Sequence, residues 1–319
     1  MSESYFLLAP VAVLAVLLLF GFVGCESLPA IAVFVDGPYV ETILAEPGLV
    51  SYWRLQEDHS EEPSAPTADN TPVSGGTAKD DHGVNNGTYN RVIVSNPPSD
   101  SPDAPGTLIL EEAGLLDVVE GSNSSVRVDG GYVEVPFSNS LLLTSFTVEA
   151  LVRPEWSETE TGVYRTVIGF TTSDFHFGFA LYAGPEDPVS LTGPYKWQVW
   201  LGDGTQFQKI NFNHGSPPLV NFTKTNYIAV TYDDPTKLLN LYTYVVGIEL
   251  DNGPFNPVQN LSVTYKQNSD SATKFLIGVD RTVPPAYPFK GRIQEVAIYN
   301  KALPMERIMS HIGAGLNLA

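Results

Sequence analysis

The stretch FKGRIQEVAIYNKALPMERIMSHIGAG, Phe289 to Gly315, decides the fold class, because it joins a buried strand to a short capping helix. Within RIQEVAIY, Ile293, Glu295, Ala297 and Tyr299 alternate with Gln294, Val296 and Ile298, the period of two that a half-buried strand requires. Asn300 to Leu303 reads as a turn. Pro304 suits the first position of a helix, where a missing N–H costs nothing, and Met305, Ile308 and Ile312 then fall on one helical face. The spacing predicts a strand, a turn and a helix that close the end of a sandwich.

Working back toward the N-terminus, further alternating segments appear: FLIG (Phe275 to Gly278), YIAVTYDD (Tyr227 to Asp234), SFTVEALVRP (Ser145 to Pro154) and YVEVP (Tyr132 to Pro136). DDHGVNNGTY (Asp80 to Tyr89) and VSYWRLQE (Val50 to Glu57) precede them. In SFTVEALVRP, Phe146, Val148, Ala150 and Val152 form one face, the set expected between two sheets, and Trp53 is in phase with Leu55 as a second core element. Together with the closing stretch, these segments resemble, in content and in order, the laminin-G-like jelly roll domains of the concanavalin A-like lectin/glucanase superfamily. There a strand of the type G-x-I-D-E-V-x-I-Y-N precedes a short helix. Two positions depart from the family pattern: Leu151 stands in place of a Trp, and Gln294 in place of an acidic residue. The resemblance implies an all-β fold, a two-sheet antiparallel jelly roll sandwich with a short C-terminal helix, over residues 48–319. An apolar helical segment over 1–25 and a tether over 26–47, broken by Pro29, Pro38 and Pro47 with a short helical turn near Glu41 to Ala45, precede it.

Composition agrees independently. With 319 residues, 43% of them hydrophobic, 27 Gly and 25 Pro, the chain can bury a sizeable core but is punctuated by turns, as an all-β domain is. A net charge of −19 repels nucleic-acid phosphates, so no nucleic-acid partner is expected. Cys25 is the single cysteine, which rules out an intrachain disulfide and a cysteine-type zinc site.

Tyr5 to Gly24 carries no charge and, at about 1.5 Å per helical residue, is long enough to cross a hydrocarbon core of about 30 Å. No Lys or Arg precedes Arg54, so neither the basic start of a signal peptide nor a basic flank sets an orientation. The tetrapeptide FVGC, Phe22 to Cys25, resembles a bacterial lipobox, which implies lipidation at Cys25 after cleavage. An uncut membrane anchor and a helix buried in an assembly are the alternatives. The expected location is a membrane-anchored domain on the extracytoplasmic side or the cell surface.

For chemistry, a glucanase of this superfamily carries its acid and nucleophile on one strand, in a run of the type E-x-D-x-x-E whose two-residue period sets the carboxyls about 5 Å apart. No such run occurs; Glu149 and Glu295 each stand alone on a strand, and no enzymatic activity is expected. His59, His82, His176, His214 and His311 have no metal-ligand spacing and read as surface or turn residues. Asp80, Asp81, Asn85 and Asn86 offer hard oxygen ligands within one glycine-punctuated turn, a candidate structural calcium site, against the reading of an ordinary Asx-rich turn.

For binding, LTGPYKWQVWLGDG places Trp197 and Val199 on one face and Gln198 and Trp200 on the other. Trp200 and Tyr195 are the candidate aromatics for stacking on a sugar ring at the sheet face or rim. Sequons at Asn86, Asn123, Asn221 and Asn260 would carry glycans only on a eukaryotic secretory route. The expected function is an exported, surface-anchored, non-enzymatic lectin-like or adhesion protein that recognises a glycan or a surface protein. The alternative is a structural subunit of a multi-protein surface, membrane or virion assembly, its N-terminal helix buried against partners. A divergent glycoside hydrolase is a third reading.

Overall fold

A computed structural model describes residues 38–68, 71–93, 107–116, 123–157, 163–187, 192–210, 219–246, 258–282 and 285–315. The apolar segment Tyr5 to Gly24 and Cys25 lie outside the described residues. No helix among the described residues is long and apolar enough to cross a membrane.

Two antiparallel sheets stack face to face. The first runs β14 (Val258–Ser262), β13 (Leu238–Val245), β12 (Asn226–Asp233), β7 (Phe146–Pro154), β18 (Lys290–Tyr299), β5 (Ser124–Asp129) and β4 (Thr107–Ala113). β1 (Leu49–Trp53) pairs with the second half of β18, while β5 pairs with its first half. The second sheet runs β11 (Phe207–Ile210), β10 (Thr192–Gly202), β9 (Gly178–Asp187), β8 (Arg165–Thr171), β15 (Phe275–Ile277), β6 (Gly131–Val135), β3 (Gly87–Arg91) and β2 (Val73–Ala78). A small hairpin of β16 (Arg281–Thr282) and β17 (Pro285–Ala286) follows β15.

The inter-sheet core holds Phe146, Val148, Ala150 and Val152 from β7, as the period of two predicts, together with Trp53 and Leu55. Trp53 stacks on Phe275 across the sheets at 5.1 Å. β18 departs from the strict alternation read from the sequence. Glu295 has φ 55°, and the pairing with β7 shifts between Gln294 and Ala297. This bulge inserts one residue, so Ile293, Val296 and Ile298 face the inter-sheet core while Ala297 and Tyr299 face outward.

Two helices cover that outward face of the first sheet. α1 (Pro38–Leu44) buries Tyr39, Val40 and Ile43, and α2 (Met305–Gly315) buries Ile308, His311, Ile312 and Gly315. Both lie against Leu151, Tyr227, Ala297 and Tyr299. Gly315 permits the close approach: a Cβ there would lie 2.9 Å from both Tyr39 and Leu116. Residues 38–44, expected within a tether, are therefore part of the folded unit. Met305 is exposed rather than buried with Ile308 and Ile312, because it is the first residue of the helix; Pro304 caps that end, its carbonyl accepting from the N–H groups of Arg307 at 3.0 Å and Ile308 at 3.3 Å.

Candidate functional site

Among the described residues no helix covers the outward face of the second sheet, and its side chains follow from strand parity. On β10, Tyr195, Trp197, Val199 and Leu201 turn into the core, which leaves Lys196, Gln198 and Trp200 on the outer face. Trp200 stands between Ala180 on β9 and Lys209 on β11. Small residues make room beside it. A Cβ at Gly184 would lie 2.4 Å from the Tyr164 ring, so glycine there lets Tyr164 lie flat against β9.

The result is a connected aromatic surface. Tyr164 meets Trp200 at 5.4 Å and Tyr287 at 5.8 Å, both edge to face, and Tyr182 lies beneath, 5.0 Å from Trp200. Trp200 continues to Phe207 at 5.5 Å, and Phe207 to Phe175 at 5.6 Å. Tyr182 is buried as the floor, whereas Trp200, Phe207 and Phe175 are half-buried and Tyr287 is 41% exposed. The backbone of Tyr287 is pinned: its carbonyl accepts from the Thr166 N–H at 2.8 Å, so the segment after β17 lies across the sheet. Polar groups edge this surface. Lys209 Nζ sits 5.4 Å from the Tyr164 ring centroid, Gln198 Nε2 donates to the Pro185 carbonyl at 2.9 Å, and Lys196 pairs with Glu186. An apolar floor with a few convergent polar groups at its margin is the composition of small-molecule sites.

The aromatics expected at such a surface divide. Trp200 is on it. Tyr195 is 4% exposed, and its ring packs edge to face on Trp156 and Phe222 in the inter-sheet core. Parity accounts for this, since Tyr195 lies two residues before Trp197 and shares its inward face. Tyr164, Tyr182, Phe207 and Tyr287 join the surface from strands and turns distant in sequence; the tyrosines alternating with core positions were the available signal.

The Asp80 turn closes on itself. Asp80 Oδ1 accepts from the backbone N–H of Tyr52 at 2.9 Å, His82 at 3.2 Å and Gly83 at 2.9 Å, and Oδ2 accepts from that of Asn85 at 2.9 Å. Asn86 Oδ1 accepts from the Asp80 N–H at 2.9 Å, Asn85 bonds Ser51 and Ser140, and Asp81 pairs with Lys79. Amides engage both oxygens of the carboxylate, so in this arrangement Asp80 holds the backbone of the turn. Among the described residues, no group of three or more His, Cys, Asp or Glu side chains is placed to hold a metal.

The two strand-borne acids lie on the other sheet, beneath the helices. Glu149 is fully buried and accepts from the hydroxyls of Tyr227 and Tyr299 and from His311 Nδ1 at 3.1 Å. His311 Nε2 lies 3.6 Å from Glu46, whose carboxylate also meets Lys301 at 2.9 Å and Arg307 at 2.6 Å. Burial pushes the Glu149 carboxyl up, but the His311 charge and the three hydrogen bonds outweigh it and hold the group below its ordinary value. Burial likewise pushes His311 down, and the two carboxylates reverse this and hold the imidazolium above its ordinary value. Glu295, on the bulge, accepts from Tyr52 and from Gln56 Nε2 at 2.7 Å. His311, read as a surface or turn residue, is 0% exposed; its helical phase with Ile308 was the signal that placed it inward.

Several solved structures are similar in fold at low identity. The binding domain of botulinum neurotoxin serotype D is 14% identical with a TM-score of 0.40, covering 66% of this chain and 47% of its own. The CBM40 of the Ruminococcus gnavus IT-sialidase, bound to α2,3 sialyllactose, is 16% identical with a TM-score of 0.38, covering 64% of this chain and 94% of its own. A putative carbohydrate binding protein from Bacteroides ovatus is 20% identical with a TM-score of 0.40, covering 60% and 51%. The chain thus spans about half the length of the first and third of these. No curated protein matches it in sequence. Residues 128–309, more than half of the chain and most of both sheets, match the sequence profile of the concanavalin A-like lectin/glucanases superfamily, and the chain belongs to that superfamily.

Proposed function

We propose that the domain is a non-enzymatic, exported and surface-anchored module that binds glycan on the outer face of its second sheet. The observation that carries this reading is the aromatic surface of Trp200, Phe207 and Tyr287, partly open on a sheet face above the buried Tyr164 and Tyr182, with the Lys209 ammonium at its margin. Aromatic faces take the C–H face of a sugar ring, and a marginal ammonium group takes its hydroxyls. Anchoring rests on the uncharged run from Tyr5 to Gly24. The absence of bond cleavage is supported by the position of Glu149 and Glu295, which are buried on the opposite sheet with their oxygens engaged by tyrosine, histidine and glutamine. Retaining hydrolysis needs two carboxyls about 5 Å apart flanking the substrate.

The test is a glycan array probed with the purified chain and with Trp200→Ala. Retention of a glycan class by the wild type, weakened about tenfold or more in the variant (about 1.4 kcal/mol) with the fold intact, is the expected result. A wild type that retains no glycan, yet purifies in a stoichiometric complex, would instead establish the assembly-subunit reading.

A further inference from the structure

Two rings of the aromatic surface stand on backbone that bulky residues rarely adopt. Phe175 has φ 60° and Tyr287 has φ 53°, in the left-handed region that favours glycine and asparagine. Of the six non-glycine residues with positive φ among the described residues, these are the two aromatic ones, and both belong to the ring surface around Trp200. Hydrogen bonds fix each backbone in place. In the turn that joins β8 to β9, the Phe175 N–H donates to the Thr172 carbonyl at 2.9 Å, the His176 N–H to Asp174 Oδ1 at 3.1 Å, and the Phe177 N–H to the Thr172 hydroxyl at 3.2 Å. After β17 the Tyr287 carbonyl accepts from Thr166, and the neighbouring Ala286 carbonyl accepts from the Asp280 N–H at 3.1 Å. Strain of this kind persists only where the surroundings enforce it, and it concentrates at binding sites. Asparagine would hold the same backbone at lower cost. Neither ring is placed as a core residue: Tyr287 is 41% exposed and meets Tyr164 and Tyr182 edge to face, and Phe175 is half-buried beside Phe207.

The two strained residues also stand at opposite ends of the surface. Tyr287 is bonded to Thr166 near the start of β8, Phe175 lies in the turn beyond its end, and the strand between them has seven residues, a span of about 20 Å. Trp200 is intermediate, since it pairs with Ala180, which in turn lies opposite Gly169 of β8. Rings connect the ends without a gap: Phe175, Phe207, Trp200, Tyr164 and Tyr287 follow one another in steps of 5.4–5.8 Å, with the Lys209 ammonium beside the path. A single sugar ring resting on Trp200 reaches neither end. An extended sugar chain reaches both, and its units present C–H faces in series with hydroxyls at their edges, which matches ring faces along a path and a polar group at its side. We infer that Phe175 and Tyr287 are the two end contacts of the glycan site, and that its ligand is a linear oligosaccharide stretch several units long, laid along the path with its middle over Trp200. The inference rests on the glycan reading above and deepens it, from a sugar to a chain.

The experiment prints linear oligosaccharides of glucose, xylose, mannose and galactose as length series, from monosaccharide to hexasaccharide, and probes them with the full chain, with Phe175→Asn and with Tyr287→Asn. Asparagine tolerates the left-handed backbone, so each variant should melt near the wild-type temperature or above it. The expected result is wild-type retention that rises about tenfold or more from the disaccharide to the longest chain, and a loss of about three- to tenfold on the long chains in each variant, with disaccharide retention unchanged. Phe175→Tyr and Tyr287→Phe keep a ring on the same backbone and should bind as the wild type does. Phe175→Leu and Tyr287→Leu, apolar but without a ring face, serve if the asparagine variants do not fold. Wild-type retention that does not depend on length, lost in Trp200→Ala and kept in the end variants, would overturn the extended site and leave the glycan reading in place. Lower melting temperatures in the asparagine variants, with retention on long chains unchanged, would make both rings structural and overturn it as well. A wild type that retains no glycan at any length overturns both readings.

Discussion

The two outer faces of this sandwich are made of similar residues put to opposite ends. On the first sheet, Tyr227, Tyr299 and Tyr52 stand in a cluster much like that of Tyr164, Tyr182 and Tyr287 on the second. Under the helices α1 and α2, however, those tyrosine hydroxyls end on Glu149 and Glu295, and the rings are closed off from water. On the second sheet no helix among the described residues crosses the aromatic rings, and Trp200, Phe207 and Tyr287 keep part of their surface open. A tyrosine-rich strand face is therefore not in itself a binding signal. What distinguishes a scaffold face from a candidate site is whether the rings are covered.

The comparison breaks first at His311. Removing one partner of a buried ion pair leaves an uncompensated charge, so His311→Ala should cost about 3–5 kcal/mol in denaturant unfolding while a folded fraction still binds as the wild type does. A loss under about 1 kcal/mol would mean that the buried network is not a structural device. The next contrast lies on a single strand. Tyr195→Ala empties an inter-sheet site and should cost about 3 kcal/mol or more. Trp200→Ala, on the open side of the same strand, should cost less than Tyr195→Ala, since its half-buried ring leaves no inter-sheet cavity and loses ring pairs worth about 0.5–1.5 kcal/mol each. Equal losses at the two positions would place both rings in the core and remove the site.

The pH dependence sharpens the same contrast more gently, since every partner stays in place. His311 is held above its ordinary value of 6.5, so the stability it contributes is complete below that value and is lost as pH rises through the folded one. Glu149 is held below its ordinary value of 4.5, so its contribution is present above that value and is lost as pH falls through the folded one. The melting temperature should therefore peak on the mildly acidic side of neutrality, and the alkaline decline should flatten in His311→Ala. A wild-type maximum well above neutrality would contradict the pairing. The smallest effect is expected from calcium: with the Asp80 carboxylate already bonded to four amides, the melting temperature should be the same in chelator and in millimolar calcium. Saturating a native-state site at a hundredfold excess over Kd would add about 2.7 kcal/mol, a shift easily seen.

Much of the fold was legible because β7 and β1 obey simple parity: Phe146, Val148, Ala150, Val152 and Trp53 point inward as their spacing requires. β18 was legible only in part. A bulge at Glu295 adds one residue and reverses the phase of everything after it, and a glutamate at φ 55° has no sequence mark that a period-two reading can detect. The candidate site was less legible still. Parity placed Trp200 outward and, applied one pair further, would have placed Tyr195 inward. Tyr164, Tyr182, Phe207 and Tyr287 meet only through the order of β8 to β11 and the crossing of the segment after β17, and such long-range neighbours leave no local pattern. The Asp80 turn shows the converse: a ligand-like composition serves the backbone, whose amides engage both oxygens of the carboxylate.

The position of α1 has a mechanical consequence. Whatever precedes Pro38 is joined to the sandwich on its helix-covered side, so a pull along the chain from that end reaches the domain on the face opposite the aromatic path. The first resistance is the seven-residue helix itself, held by Tyr39, Val40 and Ile43. The second is Glu46, clamped by Lys301 and Arg307, which passes the load to the turn after β18 and into α2. Only beyond that clamp does β1 begin to feel tension, and no strand of the second sheet lies on the load path up to β1. A ligand held on the second sheet would thus be carried by strands that stay unloaded while α1 yields, so the grip should outlast the detachment of the helix.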